Sequence, residues 1–406
     1  VIAAAEPRKI MIIGDSQSEE YRFELPFTAP ASDPTESNTM NWIEILAEHR
    51  SEEFDFGTYK RRLFEWKDVR NAGYEYNWSI PGALTDTWIT VLNASFFDDQ
   101  EYLDSKWTLL DQVDEVEAVV IFLGGNDMST VYSRLNRDER PPGWPESVID
   151  QIEEIAEKVR DENSTIPIII GTFPDVGGTE QRQNDFPNEA GRQLASTYIA
   201  EANQKLQTFA DDEGFPTFDV AKLTLDFIDD APYRIGNVEF LPFGHPENKP
   251  RNLLCRDGFH PSTASQAVIA NMIIAALNEA LNADLTPLSE EEILVDVLGM
   301  DSTIDDDYLA WINAIVPGTN SLLADPDGDG LENLGEFALD LNPLSSDMPA
   351  LSPQLTFDYS VAESRRDYVS TRAAQSADLI NWVTIPGEPP VTPTEQFLRL
   401  EFILPK

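Results

Sequence analysis

The chain has 406 residues, 41% of them hydrophobic, and carries 28 Lys and Arg against 73 Asp and Glu, a formal net charge of −45. The apolar fraction supports a full core and excludes a wholly disordered chain, and length alone argues for two or three domains. So acidic a surface repels phosphate backbones and anionic lipid, which argues against nucleic-acid binding and polybasic membrane attachment.

The chain opens Val1-Ile2-Ala3-Ala4-Ala5-Glu6-Pro7. The three alanines fit the small-residue cleavage site of a signal peptide, so the expected location is secreted or periplasmic; an arbitrary truncation is the other reading. Lys9 to Ile13 is a short apolar run stopped by Gly14-Asp15, the pattern of a buried parallel strand. Similar runs follow at Ala118 to Leu123, stopped by Gly124-Gly125, at Ile166 to Gly171, and more weakly at Phe215 to Val220. Between them, Glu146 to Arg160 places Val148, Ile149, Ile152, Ile155 and Val159 on one helical face, and Asn188 to Asp211 and Thr263 to Leu281 behave alike. Strands alternating with helices over residues 1–283 predict an α/β, doubly wound parallel sheet whose chemistry lies beyond the carboxyl ends of its strands. No run of 18 apolar residues suggests a membrane span. Cys255 is the only cysteine, which excludes an intramolecular disulfide and a cysteine-based zinc site.

Composition changes after Asn282. Ser289 to Val316 is acidic and predicted helical, and ends at Pro317-Gly318. Residues 284–349 read as an acidic linker and 350–406 as a small β-rich module, with strands expected at Leu355 to Val361, Tyr368 to Thr371, Trp382 to Ile385 and Phe397 to Ile403.

Three glycine-punctuated segments carry the chemistry. Gly14-Asp15-Ser16 follows the first strand and exposes a hydroxyl at the sheet edge. Gly124-Gly125-Asn126-Asp127 closes the 118–123 strand, and Asp257-Gly258-Phe259-His260-Pro261 precedes the last long helix. Of the three histidines, His49 reads as a solvated or capping residue and His245 as a loop residue that could line a cleft. His260 is placed to serve Ser16 as base, with Asp257 three residues away to orient it. Asp15 and Asp127 read as turn-supporting residues.

These segments, in this order, resemble the SGNH (GDSL) hydrolase family over residues 9 to about 283. The resemblance implies a flavodoxin-like three-layer fold and ester hydrolysis through an acyl-enzyme on Ser16, with His260 and Asp257 completing a triad and no cofactor for catalysis. It also implies an oxyanion hole built from the N–H of Ser16, the N–H of Gly82 in Ser79-Ile80-Pro81-Gly82-Ala83, and the Asn126 side chain.

Asp325-x-Asp327-x-Asp329-Gly330-x₅-Glu336 matches a calcium-loop pattern, with the Leu331 carbonyl and Asn333 as further ligands. The expected calcium is structural, pinning a self-repelling linker. Long segments rich in aromatic and polar residues, Glu19 to Met40, Phe173 to Asn188 and Leu223 to Arg256, are expected to shape the substrate cleft. Their mix of aromatic and polar groups suits a sugar, and export, acidity and the appended β module together favour an acetyl esterase acting on extracellular carbohydrate. A lipase, lysophospholipase or short-chain carboxylesterase of the same fold is the alternative. A calcium-dependent glycan-binding protein with an idle hydrolase fold is the alternative from another class.

Overall fold

The computed structural model describes residues 6–346 except 63, 71, 227–232 and 319–320, together with 370–376, 383–385 and 397–403. Residues 1–5 and the strand expected at Leu355 to Val361 lie outside the described residues. The chain divides into two compact units, 1–233 with 240–299 and 234–239 with 300–406.

The first unit is built on a parallel sheet of β1 (Arg8–Gly14), β2 (Phe54–Asp55), β3 (Asn77–Ser79), β4 (Ala118–Phe122), β5 (Ile168–Gly171) and β6 (Thr217–Phe218). β2 pairs with the start of β1 and β3 with its end, so the two short strands together fill one edge position. β4 lies on the other side of β1, followed by β5 and β6. This is the flavodoxin-like order, and its topological switch point falls between β1 and β4. The register aligns the strand ends: Gly14 pairs with Ser79 on one side and with Phe122 on the other.

The apolar runs are continuous because both sheet faces are covered. Ile10, Met11, Ile12, Ile13, Val119, Val120 and Ile121 are all fully buried. On one face Met11, Ile13, Val119, Ile121, Ile168 and Ile170 meet residues of helices α2 (Thr85–Leu92), α3 (Gln100–Val113), α5 (Glu146–Glu162) and α6 (Glu189–Glu213). Opposite them, α1 (Trp42–His49) packs on α7 (Thr263–Leu281), which also contacts β5 and β6. α4 (Gly125–Leu135) follows β4. Among the described residues α7 is the helix long and apolar enough to cross a membrane; here it is a core helix, with eleven of its residues buried. α1 starts with a reciprocal cap, in which Asn41 Oδ1 accepts the Glu44 N–H and Glu44 accepts the Asn41 N–H.

The predicted strands at Lys9 to Ile13, Ala118 to Leu123 and Ile166 to Gly171 are found, and the weaker run shrinks to Thr217–Phe218. The acidic stretch after Ser289 is not one helix. It forms a π-helical turn at Glu292–Val297 and then α8 (Asp306–Ile315), interrupted at Gly299, whose φ of +63° ends helical geometry.

The second unit contains α8, α9 (Asn333–Leu339) and a core of Tyr308, Ile312, Leu322, Leu334, Phe337 and Ala338. Its buried Glu239 accepts the Leu322 N–H at 3.0 Å and Arg234 at 3.0 Å, and its own N–H donates to Asp305 at 2.7 Å. β7 (Ser370–Ser376) pairs antiparallel with β8 (Val383–Ile385) and β9 (Phe397–Ile403), in the order β8-β7-β9.

Gly124 turns the chain from β4 into α4 with φ +102°, and a Cβ there would lie 2.3 Å from the Phe173 ring. Gly124→Ala combines backbone strain with overpacking. It is expected to lower unfolding stability by about 3 kcal/mol in denaturant titrations; a loss under about 0.5 kcal/mol would contradict this packing.

Candidate active site

The turn after β1 is wound around Asp15. Its carbonyl accepts the N–H groups of Ser18 and Glu19, each at 3.0 Å, and its Oδ1 accepts the Gln17 N–H at 3.0 Å. Ser18 anchors the turn from behind: its hydroxyl accepts the Trp42 indole N–H and its carbonyl the Asn77 amide. Ser16 is thereby held at the sheet edge with its Oγ 2.9 Å from His260 Nε2.

His260 lies in a loop closed by hydrogen bonds from Cys255 N to His260 O and from Gly258 N to Cys255 O, both 2.8 Å. Its Nδ1 is 2.6 Å from Asp257 Oδ2, while Asp257 Oδ1 accepts the N–H groups of Phe259 and His260. Burial opposes the charge on Asp257, but the imidazole and the two N–H groups outweigh it and hold the carboxyl below its usual range. The imidazole stacks on Phe27, with centroids 3.8 Å apart and planes 5° from parallel, and meets Phe259 edge-on. Ser16, His260 and Asp257, drawn from positions up to 244 residues apart, thus form one relay.

Asn126 stands in the first turn of α4. Its Nδ2 donates to Ala83 O at 3.1 Å and to Asp15 Oδ2 at 3.3 Å. A Cβ on Gly125 would lie 2.8 Å from the Gln17 amide, so the second glycine leaves room for the nucleophile turn. Gly82 follows β3 in a turn with φ +73°, open on its Cα side. Among the described residues, the N–H groups of Ser16 and Gly82 donate to no protein acceptor. Asp127 accepts both the hydroxyl and the N–H of Thr85 at the start of α2, which makes it a helix-capping group. His245 is a loop residue whose Nδ1 accepts the Glu247 N–H. His49 ends α1, but its Nε2 is shielded from solvent rather than solvated.

Beside His260 opens a small cleft lined by Val176, Val220, Leu223, Leu254, Phe259 and Ile269, with Gln17, Thr179 and Thr224 as polar groups. Sequence reasoning missed two organising residues. Phe27 had been legible only as one of several loop aromatics. Gln266, fully buried on α7, donates to Gln17 O and to the Tyr21 hydroxyl and accepts the Trp42 N–H. Tyr21 in turn donates to Pro261 O.

A Ser–His–Asp relay at the switch point of a parallel sheet, with unused N–H groups beside the hydroxyl, defines a serine hydrolase. The model of the GDSL-like lipase/acylhydrolase family matches residues 10–273, and the chain belongs to that family. Similar solved structures include a lipase/acylhydrolase from Enterococcus faecalis, 15% identical, covering 69% of this chain and 98% of that one with a TM-score of 0.34. An acetylxylan esterase from Geobacillus stearothermophilus is 13% identical and covers 69% of this chain and 96% of its own, with a TM-score of 0.36. No curated protein matches the chain.

In the second unit, Asp325, Asp327 and Asp329 place one carboxylate oxygen each within 4.8 Å of the others. The loop is held by Gly328 and Gly330 N–H groups donating to Asp325, and by Asp329 and Leu331 N–H groups donating to Asp327 and Asp329. Burial and Asp325 together push the neighbouring Glu332 carboxyl up. Of the six expected ligands, the close group gathers these three acids. Glu336 is not part of that group; it and Asn333 are fully buried on α9, and the Asn333 amide donates to Ser321 O.

The segment after Ser16 is tied down by buried carboxyls. Glu44 accepts the Tyr21 and Asn41 N–H groups and Glu20 accepts the Tyr74 N–H. Burial pushes Asp15, Glu20 and Glu44 each up to about 7, and pushes Glu19, beside Glu24 and Glu20, up as well. These groups bind protons more tightly folded than unfolded, so their contribution is greatest below about pH 4 and is lost as pH rises to about 7. Tm is expected to fall by about 5 °C or more between pH 5 and pH 8, with a shallower fall in Glu44→Gln; a rise over that range would refute the assignment.

Proposed function

We propose that this chain is an exported esterase that removes O-acetyl groups from carbohydrate. The observation that carries the catalytic part is the 2.9 Å contact of Ser16 Oγ with His260 Nε2, itself held by Asp257 at 2.6 Å. His260 takes the Ser16 proton as the hydroxyl attacks the ester carbonyl, and Asp257 stabilises the imidazolium. The N–H groups of Ser16 and Gly82 and the Asn126 amide receive the developing oxyanion. His260 returns the proton to the leaving alcohol, and water then deacylates the enzyme with His260 again as base. Phe27 fixes the plane of the imidazole throughout.

The carbohydrate reading is supported by the acidic surface and by the aromatic and polar segments around the site, and the export reading by the Ala3-Ala4-Ala5 pattern. The apolar cleft beside His260 favours a second reading, an esterase or lipase for longer acyl chains. Hydrolysis of p-nitrophenyl acetate, butyrate and octanoate, with acetylated xylan alongside, separates the two. Acetate preference with release of acetate from the glycan is the expected result, and octanoate preference would replace it by the second reading. Ser16→Ala is expected to lower kcat by about 10⁴-fold or more. Retained turnover in that variant would sink the mechanism.

Asp325, Asp327 and Asp329 are proposed to hold a structural calcium ion, with oxygen donors of the kind that ion prefers. Chelation is expected to lower Tm by several degrees while leaving kcat within about twofold, since a metal bound only by the folded state stabilises it by mass action. An unchanged Tm after full calcium removal would count against the site.

A further inference from the structure

The Asn126 amide has two hydrogens and both are accounted for. One goes to Ala83 O, one residue after Gly82, and the other to Asp15 Oδ2, one residue before Ser16. Its nitrogen therefore sits between the two turns whose N–H groups are unused. A flipped amide would aim its oxygen at a carbonyl and a carboxyl oxygen, so these two acceptors decide which way round the Asn126 amide lies. Asp15 is itself immobilised: it is 2% exposed and its Oδ1 is taken by the Gln17 N–H.

We propose that Asp15 is a positioning residue, whose carboxylate holds the Asn126 amide with Nδ2 toward the oxyanion and so sets the acylation rate without touching substrate. The proposal rests on the hydrolytic reading of Ser16 and on Asn126 as an oxyanion donor. At 3.3 Å the Asp15 bond is long enough for its hydrogen to be shared with an arriving oxyanion, whereas the Ala83 bond anchors the amide. His260 favours the charged form of Asp15, Asp127 disfavours it, and burial places its ionisation at about 7. Lowering the pH through that value weakens the acceptor that orients Asn126.

The test is a double-mutant cycle on p-nitrophenyl acetate with wild type, Asp15→Asn, Asn126→Ala and the double variant, each checked for native circular dichroism. Asp15→Asn keeps the size of the side chain but can turn an NH2 toward the Asn126 NH2. The expected result is a fall in kcat of about 10- to 100-fold in Asp15→Asn with KM within about threefold. In the Asn126→Ala background the same change should add less than about threefold. Fully multiplicative losses, or an unchanged kcat in Asp15→Asn, would overturn the proposal. So would an unchanged kcat in Asn126→Ala; if Ser16→Ala still abolished turnover, the hydrolytic reading would survive that failure.

Should Asp15→Asn fail to fold, the pH dependence of kcat in wild type and Asn126→Ala decides. The acid limb of wild type is expected to carry one more deprotonation, that of Asp15, than the acid limb of Asn126→Ala. Identical limbs would overturn the proposal.

Discussion

The site depends on the register of one strand. β1 lies between β3 and β4 with Gly14 opposite both Ser79 and Phe122, so three chain segments leave the sheet at the same level. Ser16, Gly82 and Asn126 emerge from those three ends, two to four residues beyond the aligned positions. Because side chains alternate along a strand, a slip of one residue would turn Met11 and Ile13 out of their layer and displace the nucleophile turn. The fully buried β1 side chains make that slip costly, so hydrophobic burial, rather than any contact within the site, fixes where the hydroxyl stands.

Onto this frame the chain adds a second arrangement at right angles to it in sequence. The His260 loop comes from the far end of the first unit and is sewn to the nucleophile turn by Gln266 and Tyr21. These are buried polar groups with several partners each, the condition under which such groups stabilise rather than cost. The buried glutamates after Ser16 work differently. They hold the N–H groups of Tyr21, Asn41 and Tyr74, and burial keeps them protonated to higher pH than an exposed carboxyl. In a chain of net charge −45, neutral buried carboxyls add acceptors without adding to the self-repulsion.

Much of this was legible in the sequence, for physical reasons. β1, β4 and β5 are apolar runs because both faces of a parallel sheet are covered, and α5 shows its stripe because one face alone is buried. Ser16, Asn126, Asp257 and His260 stood out because glycine-containing turns must mark the strand ends that bear chemistry. β3 was not legible: Asn77-Trp78-Ser79 has no alternation to read and is a strand only because β1 offers it an edge. α2 to α4 were also missed, being short or mixed in pattern. The stacking of Phe27 on His260 and the reach of Gln266 across 249 residues to Gln17 are tertiary facts with no local signature.

Glu239 gives the architecture an unexpected indivisibility. The second unit is not a tail that begins once the hydrolase has ended; its six residues 234–239 are borrowed from the middle of the catalytic sequence. Glu239 is buried there against the backbone of Leu322 and the hydroxyl of Ser321. Ending the chain anywhere before residue 321 would remove the Ser321 and Leu322 donors of that carboxyl while leaving Glu239 and its Arg234 partner in the truncated product. A minimal hydrolase made by a single cut would inherit an interior residue without its interior.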